Sequence, residues 1–371
     1  MRVGLDLLYL IPGETGGRET YARELLPALL ELAPELELVA FVNRDCGPQL
    51  ARELGAGVRS VILPVSARSR PQWALGELAL VSVAASRARV ELLHSMANFA
   101  PAWGRFRRVL TIHDLQYRAV PELLSAPVRA ATGALVSLAA RRADRIIAVS
   151  AAGGEEIVAG LAVDRERIDV VPNGVRLPPP PPDTGAVRER LGLGRRRVVL
   201  TVASHLPHKN LPMLVDALAH IDAAARPVLV VAGHGTDDET LKSTASAAGV
   251  SGDVRLLGSC TPEELESLYA LADCLVLASL HEGFGLPVVE AMARSLPVLC
   301  SDIPALREVA GAAALYLDPH DPSQIAARIS ELITSSELSQ RLVELGRIRA
   351  GTFSWATAAE GTLASYRRAL A

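Results

Sequence analysis

The sequence predicts an α/β protein built from two doubly wound parallel-sheet domains, and three observations carry that prediction. Short runs of valine, isoleucine and leucine alternate with helix-length amphipathic stretches along the chain. Runs that are apolar at every position are typical of parallel strands buried on both faces. Six such runs lie on each side of a proline-rich break, and 371 residues suffice for two domains. A single barrel of eight βα units, the alternative, explains neither the number of runs nor the break.

The predicted strands follow one another in chain order. In the first half they lie at residues 3–6, 36–42, 58–65, 91–95, 109–114 and 145–150. In the second half they lie at residues 198–204, 227–233, 254–258, 274–279, 297–302 and 314–318. Most of the stretches between them are long enough for a helix, which gives the repeating unit of a doubly wound sheet.

The break between the halves is a run of five prolines at residues 178–182. Consecutive prolines form a semi-rigid spacer that fits neither a helix interior nor a central strand. We therefore predict a first domain at 1–175, a linker at 176–196 and a second domain at 197–354. Residues 355–371 are predicted to form a last helix that belongs to either domain, so that a crossing back to the first domain is left open.

Composition and charge exclude several classes of protein. The formal net charge is −3, whereas nucleic-acid binders usually carry a basic excess. Cys46, Cys260, Cys274 and Cys300 form no C-x-x-C pair, which predicts buried, reduced thiols. The chain runs from Met1 directly into a predicted strand, and its apolar runs are too short to span a bilayer. We therefore expect a cytoplasmic protein.

The strongest functional motif is S-L-H-E-G-F-G-L-P-V-V-E at residues 279–290. Gly283 and Gly285 follow a predicted strand and directly precede a predicted helix. Glycines there let backbone N–H groups approach an anion, and the helix N-terminus adds partial positive charge, so a phosphate is the natural occupant. Glu282 and Glu290 stand on the loop and on the helix, where they can reach hydroxyls at opposite ends of an extended ligand such as a nucleotide sugar.

Lys209 is a second candidate, because Lys242 is the only other lysine in a chain that otherwise uses arginine. A compact ammonium group suits a point-charge contact with a phosphate. The competing interpretation is a surface lysine at the start of a helix, where the helix dipole disfavours a cation.

Two weaker candidates lie in the first half of the chain. Residues 12–20 form a glycine-rich loop, with Gly16 and Gly17 just before a predicted helix. This loop is not a G-x-G-x-x-G dinucleotide motif, and a simple tight turn is the competing interpretation. His113 stands beside Asp114 at the end of a predicted strand, where a hydrogen-bonded core histidine is the alternative.

The string E-G-F-G-L-P-V-V-E at residues 282–290 resembles the E-x7-E motif of glycosyltransferase family 4, whose members are retaining, use nucleotide sugars and have the GT-B fold. The resemblance extends over essentially the whole chain. It includes the glycine loop, the T-I-H-D segment at 111–114, the P-N-G-V turn at 172–175 and the K-N pair at 209–210. It implies two Rossmann-like domains that face each other across a cleft, with the nucleotide sugar on the second domain and the acceptor on the first.

The resemblance also implies roles for individual residues. Those implied to be catalytic are His113, Glu282 and Lys209. Those implied to bind the donor are Gly16, Gly17, Ser204, Lys209, Gly283, Phe284, Gly285, Leu286 and Glu290. The family usually has glycine and arginine where Ala203 and His208 stand, so the second phosphate-binding cation is missing; His205 or His208 is the candidate substitute.

The predicted function is therefore retaining transfer of a hexose from a nucleotide sugar to a glycan, a lipid-linked sugar or a small molecule. GDP-mannose is slightly preferred as the donor over a UDP-sugar, because the I-H-D-L segment and the segment around Lys209 resemble those of polysaccharide mannosyltransferases. The chain has no D-x-D triplet, so no metal requirement is predicted. A sugar-nucleotide epimerase of similar fold and a non-catalytic nucleotide-sugar-binding protein are the alternatives.

The sequence leaves open whether the protein contacts a membrane. Arg105, Arg107 and Arg108 stand beside Trp103 and Phe106, a composition that suits an anionic membrane surface. A solvated loop is the favoured interpretation, so peripheral contact at the inner membrane face stays an alternative. The oligomeric state is not predicted.

Overall fold

The computed structural model describes residues 1–55, 57–180 and 182–371. The chain forms two compact units. The first unit comprises Met1–Gly174 together with Ser354–Ala371, and the second comprises Val175–Phe353. The final segment of the chain therefore belongs to the same unit as its beginning.

The first unit contains a seven-stranded sheet in which every pairing is parallel. Its strands are β1 Arg2–Leu7, β2 Glu37–Val42, β3 Val58–Ile62, β4 Leu92–Ser95, β5 Arg107–Ile112, β6 Arg145–Ala148 and β7 Ile168–Val170. The strand order is β3-β2-β1-β4-β5-β6-β7, so the winding direction reverses between β1 and β4. The six strands predicted for this half are all present, whereas β7 was not predicted.

Helices connect these strands. They are α1 Gly17–Leu32, α2 Gly47–Glu53, α3 Arg70–Leu75, α4 Val81–Arg87, α5 Gln116–Ala119, α6 Ala126–Arg142 and α7 Ala151–Leu161. A π-helical turn, Gly76–Leu80, joins α3 to α4.

The second unit contains a six-stranded sheet, again with parallel pairing throughout. Its strands are β8 Val198–Val202, β9 Val228–Ala232, β10 Val254–Leu256, β11 Cys274–Leu277, β12 Val298–Ser301 and β13 Ala314–Leu317. The strand order is β10-β9-β8-β11-β12-β13, and all six correspond to predicted strands. Every residue of β9, β11 and β12 is buried, because helices cover both faces of the sheet.

The remaining helices complete both units. In the second unit they are α8 Gly185–Arg190, α9 Leu211–Ala219, α10 Glu239–Ala247, α11 Pro262–Leu271, α12 Leu286–Ala293, α13 Pro304–Ala310, α14 Pro322–Thr334 and α15 Ser336–Ala350. The last helix, α16 Trp355–Leu370, is part of the first unit. Two doubly wound parallel-sheet units confirm the predicted α/β fold class.

The structure differs from the predicted linker at residues 176–196. Helix α8 lies within that range, and Leu193 just after it is fully buried. The Arg188 side chain donates hydrogen bonds to the carbonyls of Gly194 and Leu271, which fixes this helix to the second unit. A helix of six residues carries too little periodicity to be recognised beside a proline run. Of the five prolines, Pro181 lies outside the described residues.

Two further expectations concern the thiols and the membrane. All four cysteines are free, but only Cys46, Cys274 and Cys300 are buried, since Cys260 is half-exposed. The prediction of buried thiols is therefore wrong at Cys260, which lies in a loop after β10. Among the described residues, no helix combines the length and the apolar content that crossing a bilayer requires.

Candidate functional site

Three loops of the second unit follow β8, β9 and β11 at their carboxyl ends. These strands are neighbours in a parallel sheet, so the loops lie along one edge. In doubly wound sheets, ligands bind outside this edge where the winding direction reverses, which here is between β8 and β11. The predicted residues Ser204, Lys209 and Glu282 stand on the loops that follow these two strands.

Lys209 and Glu282 form an ion pair at this switch point, although 73 positions separate them. The Lys209 Nζ atom donates to Glu282 Oε1 at 2.7 Å. The Ser279 hydroxyl, fully buried, donates to the same oxygen at 2.7 Å. Two side chains thus fix the orientation of the Glu282 carboxylate, which is one-tenth exposed.

Backbone contacts hold the two loops together. The Leu280 N–H donates to the carbonyl of His208 at 2.7 Å. The Asn210 side-chain amide donates to the carbonyls of Ala278 and Pro319 at 3.1 and 2.8 Å. Asn210 itself has a left-handed backbone with φ of 56°, a conformation that asparagine tolerates better than most residues. Lys209 and Glu282 therefore stand on a pre-formed scaffold.

The N-terminus of α12 lies next to Glu282 in sequence and has the form of an anion site. Gly285 is its N-cap residue, with φ of 91°, and a glycine makes no side-chain cap bond. A Cβ atom at Gly285 would meet only the tip of the Leu306 side chain, so it is the positive φ that demands glycine. Gly283 and Phe284 are buried, and Leu286 begins the helix. The first-turn N–H groups and the helix dipole favour a bound anion.

Glu290, on the second turn of α12, is held by a residue that the sequence did not reveal. The buried Tyr269 hydroxyl donates to Glu290 Oε2 at 2.8 Å. Burial, and then the negative charge of Glu290, raise the pKa of Tyr269 well above its ordinary value, so it stays a hydrogen-bond donor. The Arg294 guanidinium lies 4.8 Å from the centre of the Tyr269 ring and fixes that ring in turn.

The two histidines proposed as substitutes for the missing cation are engaged elsewhere. His205 Nδ1 lies 2.7 Å from Asp238 Oδ2, and the other oxygen of Asp238 caps α10 by accepting from the Leu241 N–H. His208 is buried within the turn that carries Lys209. These contacts tie His205 to the loop after β9, whereas Lys209 is the cation that the structure pairs with Glu282. Ser204 is half-buried in the loop after β8.

The glycine loop of the first unit precedes α1 as predicted. Gly16 caps the helix with φ of 62°, and no side chain occupies the cap. Both Gly16 and Gly17 are exposed, and a Cβ atom at Gly16 would meet only open space. The glycine is therefore required by its backbone angle rather than by crowding. The loop is held from within, since Glu19 accepts a hydrogen bond from the Gly13 N–H at 2.8 Å.

His113 follows β5 directly and is almost completely buried. Its Nε2 atom lies 3.0 Å from the carbonyl of Met96, so this nitrogen carries the proton in the neutral ring. Burial lowers the pKa of His113 to about 4, which keeps the ring neutral at physiological pH. The Tyr21 ring packs edge-on against it with centroids 4.9 Å apart, and Asn98 accepts from the His113 N–H. His113 thus has one tautomer and one orientation.

The structure brings Lys209 and Glu282 together and places the N-terminus of α12 on the same loop. Gly16, Gly17 and His113 lie in the first unit, whereas Lys209 and Glu282 lie in the second. Sequence reasoning missed Ser279 and Tyr269, which position the two glutamates. Ser279 is the first residue of the motif at residues 279–290, and its position three residues before Glu282 could have suggested a hydroxyl donor to that glutamate. Tyr269 lies 21 positions from Glu290 and gave no signal.

Two family models match the chain. Residues 15–177 match Glycosyltransferase Family 4, and residues 184–349 match Glycosyl transferases group 1. Together these ranges include the candidate residues of both units.

Curated relatives match over shorter stretches. The MMP alpha-(1->4)-mannosyltransferase of Mycolicibacterium hassiacum is 32% identical over 240 residues, which is 62% of this chain and 56% of that protein. The D-inositol 3-phosphate glycosyltransferase of Segniliparus rotundus is 33% identical over 236 residues, 61% of this chain and 53% of that protein. The chain thus spans about half the length of these relatives.

The solved structure of Anabaena HepE in complex with UDP-glucose has a TM-score of 0.79 to this chain. The match covers 99% of each chain at 19% identity, so it shows a shared fold. Together with the two family models, which match most of the chain, this likeness leads to one conclusion. The chain belongs to the family 4 glycosyltransferases, and its two parallel-sheet units are those of the GT-B fold.

Proposed function

We propose that the protein transfers a hexosyl group from a nucleotide sugar to a hydroxyl-bearing acceptor, and that its second unit holds the donor. The observation that carries this proposal is the Lys209–Glu282 ion pair, which lies at the switch point of the sheet on the loop that leads into α12. A diphosphate needs fixed positive charge, and the glycosyl group needs acceptors for its hydroxyls. This edge of the second unit offers both.

The leaving diphosphate is stabilised by Lys209 and by the first-turn N–H groups of α12. Cleavage of the glycosyl bond leaves negative charge on the diphosphate, so donors already in place lower the barrier without reorganising. We infer that these groups serve in place of a metal ion, and undiminished transfer in the presence of a chelator is the corresponding test. Reaction with retention of the anomeric configuration is proposed from family membership.

The two glutamates contact the sugars of the donor. Lys209 and Ser279 both hold Glu282 Oε1, and we assign Glu282 Oε2 to the hydroxyls of the transferred hexose. Glu290, oriented by Tyr269, is assigned to the ribose hydroxyls. In the first unit, the neutral His113 is assigned to substrate contact through Nδ1, which accepts a hydroxyl hydrogen bond when Nε2 carries the proton.

GDP-mannose is the preferred donor, and a UDP-sugar is the second candidate. Mannose is supported by the M. hassiacum relative, which is named for mannosyl transfer. The UDP-sugar is supported by HepE, a protein of the same fold that was solved with UDP-glucose. The acceptor is a glycan, a lipid-linked sugar or a small molecule, and the name of the S. rotundus relative favours testing inositol phosphates among the last.

A thermal-shift panel of GDP-, UDP-, ADP- and dTDP-sugars tests donor binding. Because a ligand that binds only the folded state stabilises it by mass action, the true donor raises the melting temperature in a saturable way. Gly285→Ala should reduce this shift, because alanine strains the positive φ at the start of α12. No shift with any of the four donor types would contradict the proposal.

The two lysines of the chain provide a matched pair of variants for the activity. Lys209→Met should lower kcat by about 100-fold or more, since it removes a fixed cation from the leaving group. Lys242→Met removes the other lysine, which lies exposed on α10 and should leave turnover unchanged. Equal activity of both variants would remove Lys209 from the mechanism.

The products separate the alternatives. A transferase releases nucleoside diphosphate only when an acceptor is present, apart from slow hydrolysis. An epimerase converts the donor alone into another sugar nucleotide, and a binding protein changes neither. Detection of an epimerised donor without diphosphate release would overturn the proposed transfer.

A further inference from the structure

A row of buried polar side chains crosses the core of the first unit. The Tyr366 hydroxyl lies 2.7 Å from His94 Nδ1, and His94 Nε2 lies 2.8 Å from Thr111 Oγ1. The Thr111 hydroxyl lies 3.0 Å from that of Tyr21, which also interacts with the hydroxyl of Thr362. None of these five side chains is more than 1% exposed. We call them the buried network; it begins and ends on α16.

One end of the network fixes the direction of its hydrogen bonds. The Thr362 hydroxyl donates to the carbonyl of Ala358 at 2.7 Å, so towards Tyr21 it can only accept. The Tyr21 hydroxyl therefore donates to Thr362 and accepts from Thr111. Because Thr111 gives its single hydroxyl hydrogen to Tyr21, it accepts from His94 Nε2.

The other end agrees with this direction. Burial lowers the pKa of His94 to about 3, so its ring is neutral and carries a single N–H hydrogen. That hydrogen is on Nε2, which leaves Nδ1 to accept from the Tyr366 hydroxyl. In the opposite direction, this hydroxyl would have no acceptor among the residues that the structure describes, and a buried donor without an acceptor is costly. The tautomer of His94 is thus defined.

The network holds the ring of Tyr21, and this ring packs against His113. The two rings meet edge-on with their centroids 4.9 Å apart. The Trp355 ring of α16 lies near the same tyrosine, at 6.2 Å between centroids. Because the Tyr21 hydroxyl is engaged by both Thr111 and Thr362, the ring cannot turn away from His113 without breaking a buried contact.

We propose that Tyr21 is a positioning residue for His113 and that the buried network holds Tyr21 in place. The Met96 carbonyl engages Nε2 of His113, and the Tyr21 ring restricts rotation of the imidazole, so that Nδ1 keeps one direction. The inference rests on the proposed function, in which Nδ1 of His113 contacts the substrate. A small misplacement of such a group is enough to slow a reaction. Helix α16 thereby contributes to the site through Tyr366 and Thr362.

NMR of the full chain with isotope-labelled histidine tests the network without donor or acceptor, so this result is independent of the proposed transfer. His94→Gln identifies the His94 signals. These should show a protonated Nε2 and an unprotonated Nδ1, with no titration between about pH 5 and about pH 8. Tyr366→Phe removes the donor to Nδ1 and should shift that signal. A protonated Nδ1 at His94 would overturn the direction of the network.

Tyr21→Phe tests the positioning role, because it removes the hydroxyl and keeps the ring. We expect the His113 signals to shift or broaden and kcat to fall about fivefold or more, with KM for the donor changed less than about twofold. Tyr316→Phe is the matched control. Tyr316 donates its hydroxyl to the carbonyl of Gly311 on β13 of the second unit, and its variant should leave both readouts unchanged.

Thr111 provides a second test from the other side of Tyr21. Thr111→Val keeps the shape of the side chain without its hydroxyl and should reproduce the effects of Tyr21→Phe. Thr111→Ser keeps the hydroxyl and should restore both the His113 signals and kcat. A structural role alone would lower the melting temperature of the valine variant while kcat, measured well below that temperature, stayed unchanged.

Two further outcomes would overturn the positioning role. The first is a folded Tyr21→Phe variant in which the His113 signals or kcat are unaltered. The second is an equal loss in Thr111→Ser and Thr111→Val, because it would assign the loss to packing. Failure of the unaltered chain to transfer any sugar would contradict the proposed function instead, and the His113 signals would still decide the role of Tyr21.

Discussion

Glu282 shows how single residues turn a sequence motif into a site. Its Oε1 atom accepts hydrogen bonds from Lys209 and from Ser279, at 2.7 Å each. An exposed glutamate samples many rotamers, and each would present its oxygens to a ligand differently. Two fixed donors remove that freedom before any ligand arrives. Ser279 is therefore a positioning residue, and Lys209 both positions Glu282 and supplies charge.

Ser279→Ala tests this positioning role. We expect kcat to fall about fivefold, since one buried hydrogen bond contributes roughly 1 kcal/mol, with little change in melting temperature. The measurement is steady-state kinetics with the identified donor beside a thermal melt. The control is Ser243→Ala, a hydroxyl on the surface helix α10 away from the site. A loss of stability equal to the loss of activity would show a structural role instead.

A second residue pair has no counterpart in the motifs. Asp6 on β1 and Glu77 in the π-helical turn are both buried, and their carboxyl groups interact. Asp6 also accepts from the Ser95 hydroxyl and the Leu8 N–H. Burial raises the pKa of both carboxyls, and the nearby Asp6 charge raises that of Glu77 further. These shifts favour the protonated form of Glu77.

This pair makes stability depend on pH in a defined direction. A raised folded-state pKa means that its stabilising contribution is complete below the ordinary carboxyl pKa of about 4 and is lost as the pH rises through the raised value. Glu77→Gln keeps a donor for Asp6 and removes the titration. The free energy of unfolding of this variant, relative to the unaltered chain, should therefore be higher at pH 8 than at pH 5 in urea titrations.

Glu35→Gln is the control for that comparison, because Glu35 is exposed and its variant should differ from the unaltered chain equally at both pH values. An equal difference for Glu77→Gln at the two pH values would show that the pair holds no extra proton.

At the scale of elements, the turn at residues 172–175 explains how the last helix joins the first unit. Gly174 lies against the backbone of Ser354 and Trp355, where a Cβ atom would clash with the Trp355 nitrogen. Only glycine lets the two segments approach so closely. The motif P-N-G-V is thus explained by packing of α16.

Gly174→Ala should therefore destabilise the protein by about 1–3 kcal/mol, because backbone atoms cannot move aside cheaply. Chemical denaturation measures the effect. Gly252→Ala is the matched control, since a Cβ atom there would meet nothing within 4 Å and no positive φ is involved. Equal stability of both variants would contradict the close approach.

The elements also show where sequence patterns are informative. Twelve strands were predicted from runs that are apolar because helices cover both faces of their sheets. Strand β7 was missed because it has three residues, Ile168–Val170, with Asp169 in the middle. Asp169 is buried there by ion pairs with Arg145 and Arg368. The arginines that neutralise the buried Asp169 charge are distant in sequence, so no local sequence pattern predicts that an aspartate can occupy this strand.

At the scale of the molecule, the chain returns to its first unit after completing the second. Helix α16 joins the core of the first unit through the fully buried Tyr366, whose hydroxyl lies 2.7 Å from His94 Nδ1. His94 Nε2 in turn lies 2.8 Å from Thr111 Oγ1. The end of the chain is thus a structural part of the first unit rather than a tail.

Removal of residues 354–371 should therefore destabilise the first unit selectively. Hydrogen exchange followed by mass spectrometry should show faster exchange in β4, β5 and β6, because α16 packs on these strands. Exchange in β8–β13 and donor binding should stay as in the full chain. Removal of the exposed Ala371 alone is the control. Equal acceleration in both sheets would show that the final segment supports the whole molecule.

The sequence by itself determined the fold class, twelve strands, the proline break, and the loop and helix that carry Glu282 and Glu290. These features are local in the chain, because periodicity, glycines before a helix and a rare lysine are visible within short windows. Only the tertiary structure decided that Lys209 meets Glu282, that Ser279 and Tyr269 orient the glutamates, and that Asp6 meets Glu77. Apart from Ser279 and Glu282, these partners lie between 21 and 73 positions apart. Parallel strand order brings such residues together, and no local pattern encodes that order.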